Sequence, residues 1–122
     1  MKSYLLISVI ALFSIVLPAR AAGNVERGQA LYQSHCATCH SIDYNGVGPA
    51  HKGLFGRKAG SQRDFHYSDA LAASAVIWNE QTLDKWLTNP ENFVPGQKMG
   101  FLVASPKQRA DLIAYLKVAT KP

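Results

Sequence analysis

The chain has 122 residues, 48% of them hydrophobic and 17% charged, with a formal net charge of +5 from 13 basic and 8 acidic side chains. That length gives one domain and little room for a second, and the apolar fraction excludes a disordered chain. Two cysteines exclude a disulfide-stapled scaffold.

Residues 1–21 read as a segment removed from the mature protein. Lys2 gives a short positive start, Tyr4 to Leu17 is an almost unbroken apolar run, Pro18 breaks it, and Ala19 and Ala21 stand where a signal peptidase reads. This is the layout of a secretory signal peptide, cut after Ala21 give or take one residue. The run of 14 residues falls short of the roughly 20 that span a hydrocarbon core, with an uncleaved anchor as the alternative. Residues 22–122 then form a single domain with 11 basic and 8 acidic residues, a net +3. The basic residues are scattered, which does not fit a nucleic-acid binder. Export places the thiols in an oxidising compartment.

Asn24 is suited to cap a helix running toward the cysteines, with Gly28, Leu31, Tyr32 and His35 on its packing face. Both cysteines lie in Cys36-Ala37-Thr38-Cys39-His40. A zinc site needs a second ligand pair, and His35, His51 and His66 lack paired spacing. A thioredoxin-like motif belongs beside a βαβ pattern, and nothing here reads as parallel strands. His40 directly after the second cysteine makes the motif the c-type haem attachment signature. On one turn of helix, positions three apart face the same way. Both sulfurs then reach the two vinyl groups on one porphyrin edge, and the next residue offers its imidazole to the iron.

Ser41 to Phe65 is rich in Gly, Pro and Asn and reads as loop. Ser68-Asp69 starts a short helix through Leu71. Asn79 caps another, with Leu83, Trp86 and Leu87 on one face and Asn89-Pro90 as its stop. Pro90 to Ser105 reads as a second long loop. It holds Met99, the one methionine left once the first segment is gone, 59 positions beyond His40. A lone methionine is ordinarily a core filler, but this one sits on a loop shaped by Pro95, Gly96 and Gly100. Haem held by His and Met is an electron-transfer arrangement, so Met99 is the candidate second axial ligand, with His35, His51, His66 and Lys98 as competitors. Ser105-Pro106 opens the last helix, with Gln108 where a capping box wants it. Ala110, Leu112, Ile113, Leu116 and Ala119 follow at helical spacing. A buried haem would centre the thin core of such a chain.

Several further segments carry a resemblance: Gly28 and Tyr32; Gly48-Pro49; Gly53 to Gly60; Phe65 to Ala70; Trp78; Asn89-Pro90; Pro95 to Met99; and Leu112 to Lys117. With the haem motif, residues 23–122 resemble small bacterial cytochromes c of class I, close to the mitochondrial pattern. The resemblance implies an all-α class I cytochrome c fold, with three main helices, short helices and long loops around one covalently bound haem c. It implies that the first and last helices cross closely at Gly28, with Tyr32 and Tyr115 beside the crossing. The Pro49 carbonyl would accept a hydrogen bond from His40, and Arg57, Tyr67 and Trp78 would pack against the haem or meet its propionates. Four positions depart from the family: His51 replaces a usual leucine, Leu71 an asparagine, Trp86 a tyrosine and Gln97 a threonine.

The resulting expectation is a periplasmic single-electron carrier of a Gram-negative-type bacterium, not an enzyme, with no membrane attachment after cleavage. Its partners would be redox proteins docking at an exposed haem edge, such as a cytochrome c oxidase, a bc-type complex or a periplasmic dehydrogenase. Lys98, Lys52 and Lys58 are candidates to frame that edge. Two rival readings are a haem sensor or enzyme subunit with an open axial site, and a dithiol module with both cysteines free.

Overall fold

Asn24 starts the first helix by lending its side chain to a backbone donor that the helix leaves free. In the computed structural model, which describes residues 22–122, its Oδ1 accepts from the Arg27 amide at 2.8 Å. Helix α1 (Val25–Leu31) widens into a π-helical turn over Tyr32–Cys36. The expected helix therefore reaches the cysteines, with its last turn wound more loosely. The signal-peptide reading concerns residues that lie outside the described ones.

Helix α2 (Asp69–Ala72) and α3 (Glu80–Thr88) begin where Ser68 and Asn79 predict. The Asn79 cap is closed by Thr82, whose Oγ1 accepts from the Asn79 amide while the Thr82 amide donates back, each at 2.8 Å. Leu83, Trp86 and Leu87 are buried as the pattern requires. The second long loop needs correction, because Pro90–Phe93 forms a short helix, α4. Asn89 ends α3 and also caps α4, accepting from the Asn92 amide at 2.9 Å, with Pro90 at the first helical position. Helix α5 (Pro106–Ala119) opens on Ser105, which accepts from the Gln108 amide; only this serine half of the expected box forms. Among the described residues there is no strand, and Lys58 and Ile77 make one isolated antiparallel bridge.

Helix α1 crosses α5 at close range. A Cβ built on Gly28 would lie 2.0 Å from the Asp111 carbonyl oxygen and 2.7 Å from the Tyr115 Cβ. Only glycine permits that separation. The rings of Tyr32 and Tyr115 lie beside the crossing, 5.4 Å apart. A buried carboxylate then fastens it: Asp111 accepts from the Asn24 amide at 2.7 Å and from Arg27 at 2.7 and 3.0 Å. Lys107 adds a longer contact of 3.4 Å.

Those donors, Arg27 first and Asn24 next, hold the Asp111 carboxyl well below the usual carboxylate range, with burial opposing them. A depressed pKa stabilises the fold at pH values above the unfolded value of about 3.9 and ceases to do so as pH falls through the folded value. The Asp111→Asn variant is therefore expected to lose about 1–3 kcal/mol at pH 7, since Arg27 is half exposed and can rehydrate. Its deficit against the native chain should shrink below about pH 4. Thermal unfolding followed from pH 7 to pH 2 checks this; a deficit constant with pH contradicts it.

Candidate functional site

The motif Cys36 to His40 is held by a tight turn and not by a continued α-helix. The Ala37 amide donates to the Tyr32 carbonyl at 2.9 Å, closing the π-helical turn. The Cys39 and His40 amides both donate to the Cys36 carbonyl, at 3.0 and 2.9 Å. This brings Cys36, Cys39 and His40 onto the wall of one cavity. Cys36 is half-buried and Cys39 exposed. Burial, with Cys39 beside it, pushes the Cys36 thiol up to about 11.

His40 is fixed through its far nitrogen. Its Nδ1 lies 2.8 Å from the Pro49 carbonyl oxygen, which can only accept, so the proton sits on Nδ1. The Nε2 lone pair is then free for a metal. Burial lowers the ring's pKa, against the Pro49 hydrogen bond, and so favours the neutral form a ligand needs. Gly48 lets the loop approach this ring, because a Cβ there would lie 2.2 Å from its Cε1.

The cavity measures about 460 Å³, within the roughly 300–1,000 Å³ typical of small-molecule and cofactor sites. Among the described residues, eight of the eleven in the buried apolar core line it, so the core is largely the cavity's wall. Leu83 and Leu87 of α3 and Leu112 and Leu116 of α5 supply aliphatic surface. Trp78 and Trp86 meet edge to face with centroids 5.5 Å apart, both on the same wall.

Arg57, Tyr67 and Trp78 line the cavity together. The Arg57 guanidinium donates to the carbonyls of Ala50 and Lys52 and to the Gln62 side chain. Its Nε is buried without a partner among the described residues, and a buried donor of this kind calls for an acceptor. The Tyr67 hydroxyl accepts from the Gln62 amide at 3.2 Å. Burial lowers the Arg57 pKa and raises that of Tyr67. Two thiols, a neutral imidazole, an apolar wall and an orphaned guanidinium N–H fit haem: the wall suits the macrocycle and the guanidinium suits a propionate.

Met99 lines the cavity and packs on the edge of the core. Its backbone is held by Gln97, whose Oε1 accepts from the Met99 amide, and Gln97 and Gly96 both donate to the Glu91 carboxylate. Beyond it, Arg109 ties the loop to α3 by pairing with Asp84 at 2.8 Å while donating to the Val103 and Ala104 carbonyls. His35, His51, His66 and Lys98 also line the cavity. His51 stacks on His40, with centroids 4.2 Å apart, and so stands on the same side as His40. His35, His66 and Lys98 are exposed at the rim, and His35 stacks on Phe101.

Of the four departures, His51 turns inward and reshapes the wall: it meets His40 face to face and shares a hydrogen bond of 3.0 Å with the Tyr32 hydroxyl. Burial, then His40 and Arg57, pushes its pKa down to about 3. Leu71 and Trp86 are wall residues, and Gln97 serves the Met99 backbone. Among the three edge lysines, Lys98 lines the cavity. Lys52 instead pairs with Asp43 at 3.3 Å, and Lys58 donates to the Ala72 carbonyl at 3.1 Å. Sequence reasoning missed Gln62, which the spacing of five from both Arg57 and Tyr67 does not reveal.

The family model described as Cytochrome c matches residues 25–120. A protein named cytochrome c from Gibberella zeae is 43% identical over 105 residues, covering 83% of this chain and 99% of that one. Cytochrome c2 from Rhodomicrobium vannielii is 44% identical over 102 residues, 80% of this chain and 81% of that one. Among solved structures, cytochrome cH from Methylobacterium extorquens superposes with a TM-score of 0.74 at 41% identity, covering 78% of this chain and 98% of that one.

Proposed function

The chain belongs to the cytochrome c family, and from that membership we propose that it is an exported periplasmic carrier of single electrons, with His40 and Met99 as the axial ligands of its haem. As a member it carries one covalently attached haem c and is an electron-transfer protein, not an enzyme. The observation that carries the finer reading is that Cys36, Cys39, His40 and Met99 all line one cavity.

Bound haem supplies an iron that alternates between ferrous and ferric states. The chain's own groups do the rest. Cys36 and Cys39 tether the macrocycle, and thioether formation removes thiols that the periplasm would oxidise. His40 presents Nε2, with Pro49 holding the ring. Met99 offers a soft sulfur from a loop fastened by Gln97, Glu91 and Arg109. The apolar wall excludes water, and Arg57, with Tyr67 and Trp78, receives the propionates. Held by His40 and Met99 together, the iron would have no position left for a substrate.

A partner would approach at the exposed rim, where Val47 and Phe101 are 79% and 41% exposed and Lys98 adds positive charge. Suitable partners are a cytochrome c oxidase, a bc-type complex or a periplasmic dehydrogenase. Residues 1–21 would act as the export signal. Among the described residues no helix is long and apolar enough to cross a membrane.

Mass spectrometry of chain made in a host with haem-ligating machinery tests the proposal. The expected product begins near residue 22, carries the mass of one haem and has no titratable thiol. A colourless product with two free thiols overturns it. Electron transfer to an acidic partner is expected to slow about tenfold, at the low end of electrostatic steering, as ionic strength rises from 0.01 to 0.1 M. Stopped-flow rates that stay flat over that range contradict the role of Lys98.

A further inference from the structure

The side of the cavity that bears His40 contains a second polar assembly that haem attachment does not require. His51 lies parallel to His40, with ring centroids 4.2 Å apart and planes inclined by 21°. Its Nδ1 is hydrogen-bonded to the Tyr32 hydroxyl at 3.0 Å, and Tyr32 is itself buried against Tyr115 of α5. The backbone is strapped as firmly. The His51 amide donates to the Ser41 carbonyl at 3.0 Å and the Lys52 amide to the Ile42 carbonyl at 2.8 Å. Ser41 directly follows His40, so the strap fixes the two rings face to face.

We infer that His51, anchored by Tyr32, is a positioning residue for the His40 imidazole and through it lowers the reduction potential of the haem. The Pro49 hydrogen bond fixes one edge of the His40 ring but leaves rotation about that bond open. The stacked His51 ring closes that freedom by fixing the plane. Tyr32 in turn stops His51 from turning, and it can do so because its own ring is held in the crossing of α1 and α5. Burying two polar side chains together is tolerated because each satisfies the other.

The electronic consequence has a sign. A polar, electron-rich ring against the ligand favours the more positive ferric state over the ferrous one, compared with an aliphatic side chain in the same space. The polarity of the groups around a metal ligand is one of the means by which a protein tunes the potential. A leucine at position 51 would fill the wall and remove that preference.

This inference rests on His40 being an iron ligand, and the experiment separates the two. The holoprotein, its His51→Leu variant and its Tyr32→Phe variant are titrated against a redox couple of known potential, and the oxidised forms are examined by proton NMR. Paramagnetically shifted His40 ring protons in the native chain establish the ligand; their absence overturns the ligand reading and this inference with it. Given that ligand, His51→Leu is expected to lower the ferric-to-ferrous ratio at fixed ambient potential about threefold, a rise of about 30 mV at 59 mV per tenfold. Its pattern of shifted haem methyl resonances should change as well. Tyr32→Phe keeps the ring in the helix crossing and should move the ratio the same way by a smaller factor. Unaltered ratio and methyl pattern in both variants, even with lowered thermal stability, overturn the inference and leave His51 a packing residue.

Discussion

Met99→Ala is expected to yield a haem-loaded chain that binds carbon monoxide when reduced and whose reduction potential has fallen sharply. A thioether is a soft, neutral ligand that favours the ferrous state, and with Met99 as the proposed ligand its removal would leave one axial position open. Axial ligands command a range of about 0.8 V, so a fall on the order of 0.1 V or more is expected. The loss of stability should be near the low end of the roughly 2–5 kcal/mol seen for buried Met→Ala changes, because Met99 is only partly buried. A redox titration and a carbon monoxide difference spectrum check this. An unchanged potential in a variant that refuses the gas would assign the ligand to another residue at the rim.

The second large effect concerns the helix crossing. Gly28→Val is expected to cost about 3 kcal/mol or more, at or beyond the top of the usual range for overpacking. The added Cβ would meet a backbone carbonyl, Asp111 O, at 2.0 Å, and not the end of a flexible side chain. Relief requires α1 to move off α5, which breaks the Asn24 and Arg27 hydrogen bonds to Asp111. It also displaces Tyr32 and the turn carrying Cys36. For a chain of this size the melting temperature should fall by roughly 12–24 °C. A holoprotein melt within a few degrees of the native one would contradict the close crossing.

The fold was legible wherever a local rule governs it. Asn24, Ser68, Asn79 and Ser105 each announce a helix because a capping bond joins residues three apart and needs no distant partner. Helix α4 escaped because Asn89-Pro90 satisfies two rules at once, ending one helix and starting the next. The π-helical turn over Tyr32–Cys36 leaves no periodic trace in so short a stretch. The same division holds for the candidate site. Cys36, Cys39 and His40 share one short motif, and Met99 stands out by being alone in its loop.

The orientation of His51 depends on the Tyr32 hydroxyl and on the strap to Ser41, neither of which spacing reveals. Arg57 is placed at the haem by the resemblance alone, and no spacing reveals the carbonyls of Ala50 and Lys52 that fold around it. Lys52 and Lys58 read as equals of Lys98 until Asp43 and the Ala72 carbonyl engage them. Sequence therefore points to the residues that bear the chemistry, while tertiary hydrogen bonds decide how those residues are aimed.

The proposed ligation of the iron by His40 and Met99 on opposite faces is most directly tested by proton NMR of the reduced holoprotein, with the methionine methyl groups labelled with carbon-13. One labelled methyl resonance is expected far upfield of the ordinary aliphatic region, because Met99 as a ligand would lie against the face of the porphyrin ring. A labelled methyl at an ordinary position, in protein that carries covalent haem, would contradict it.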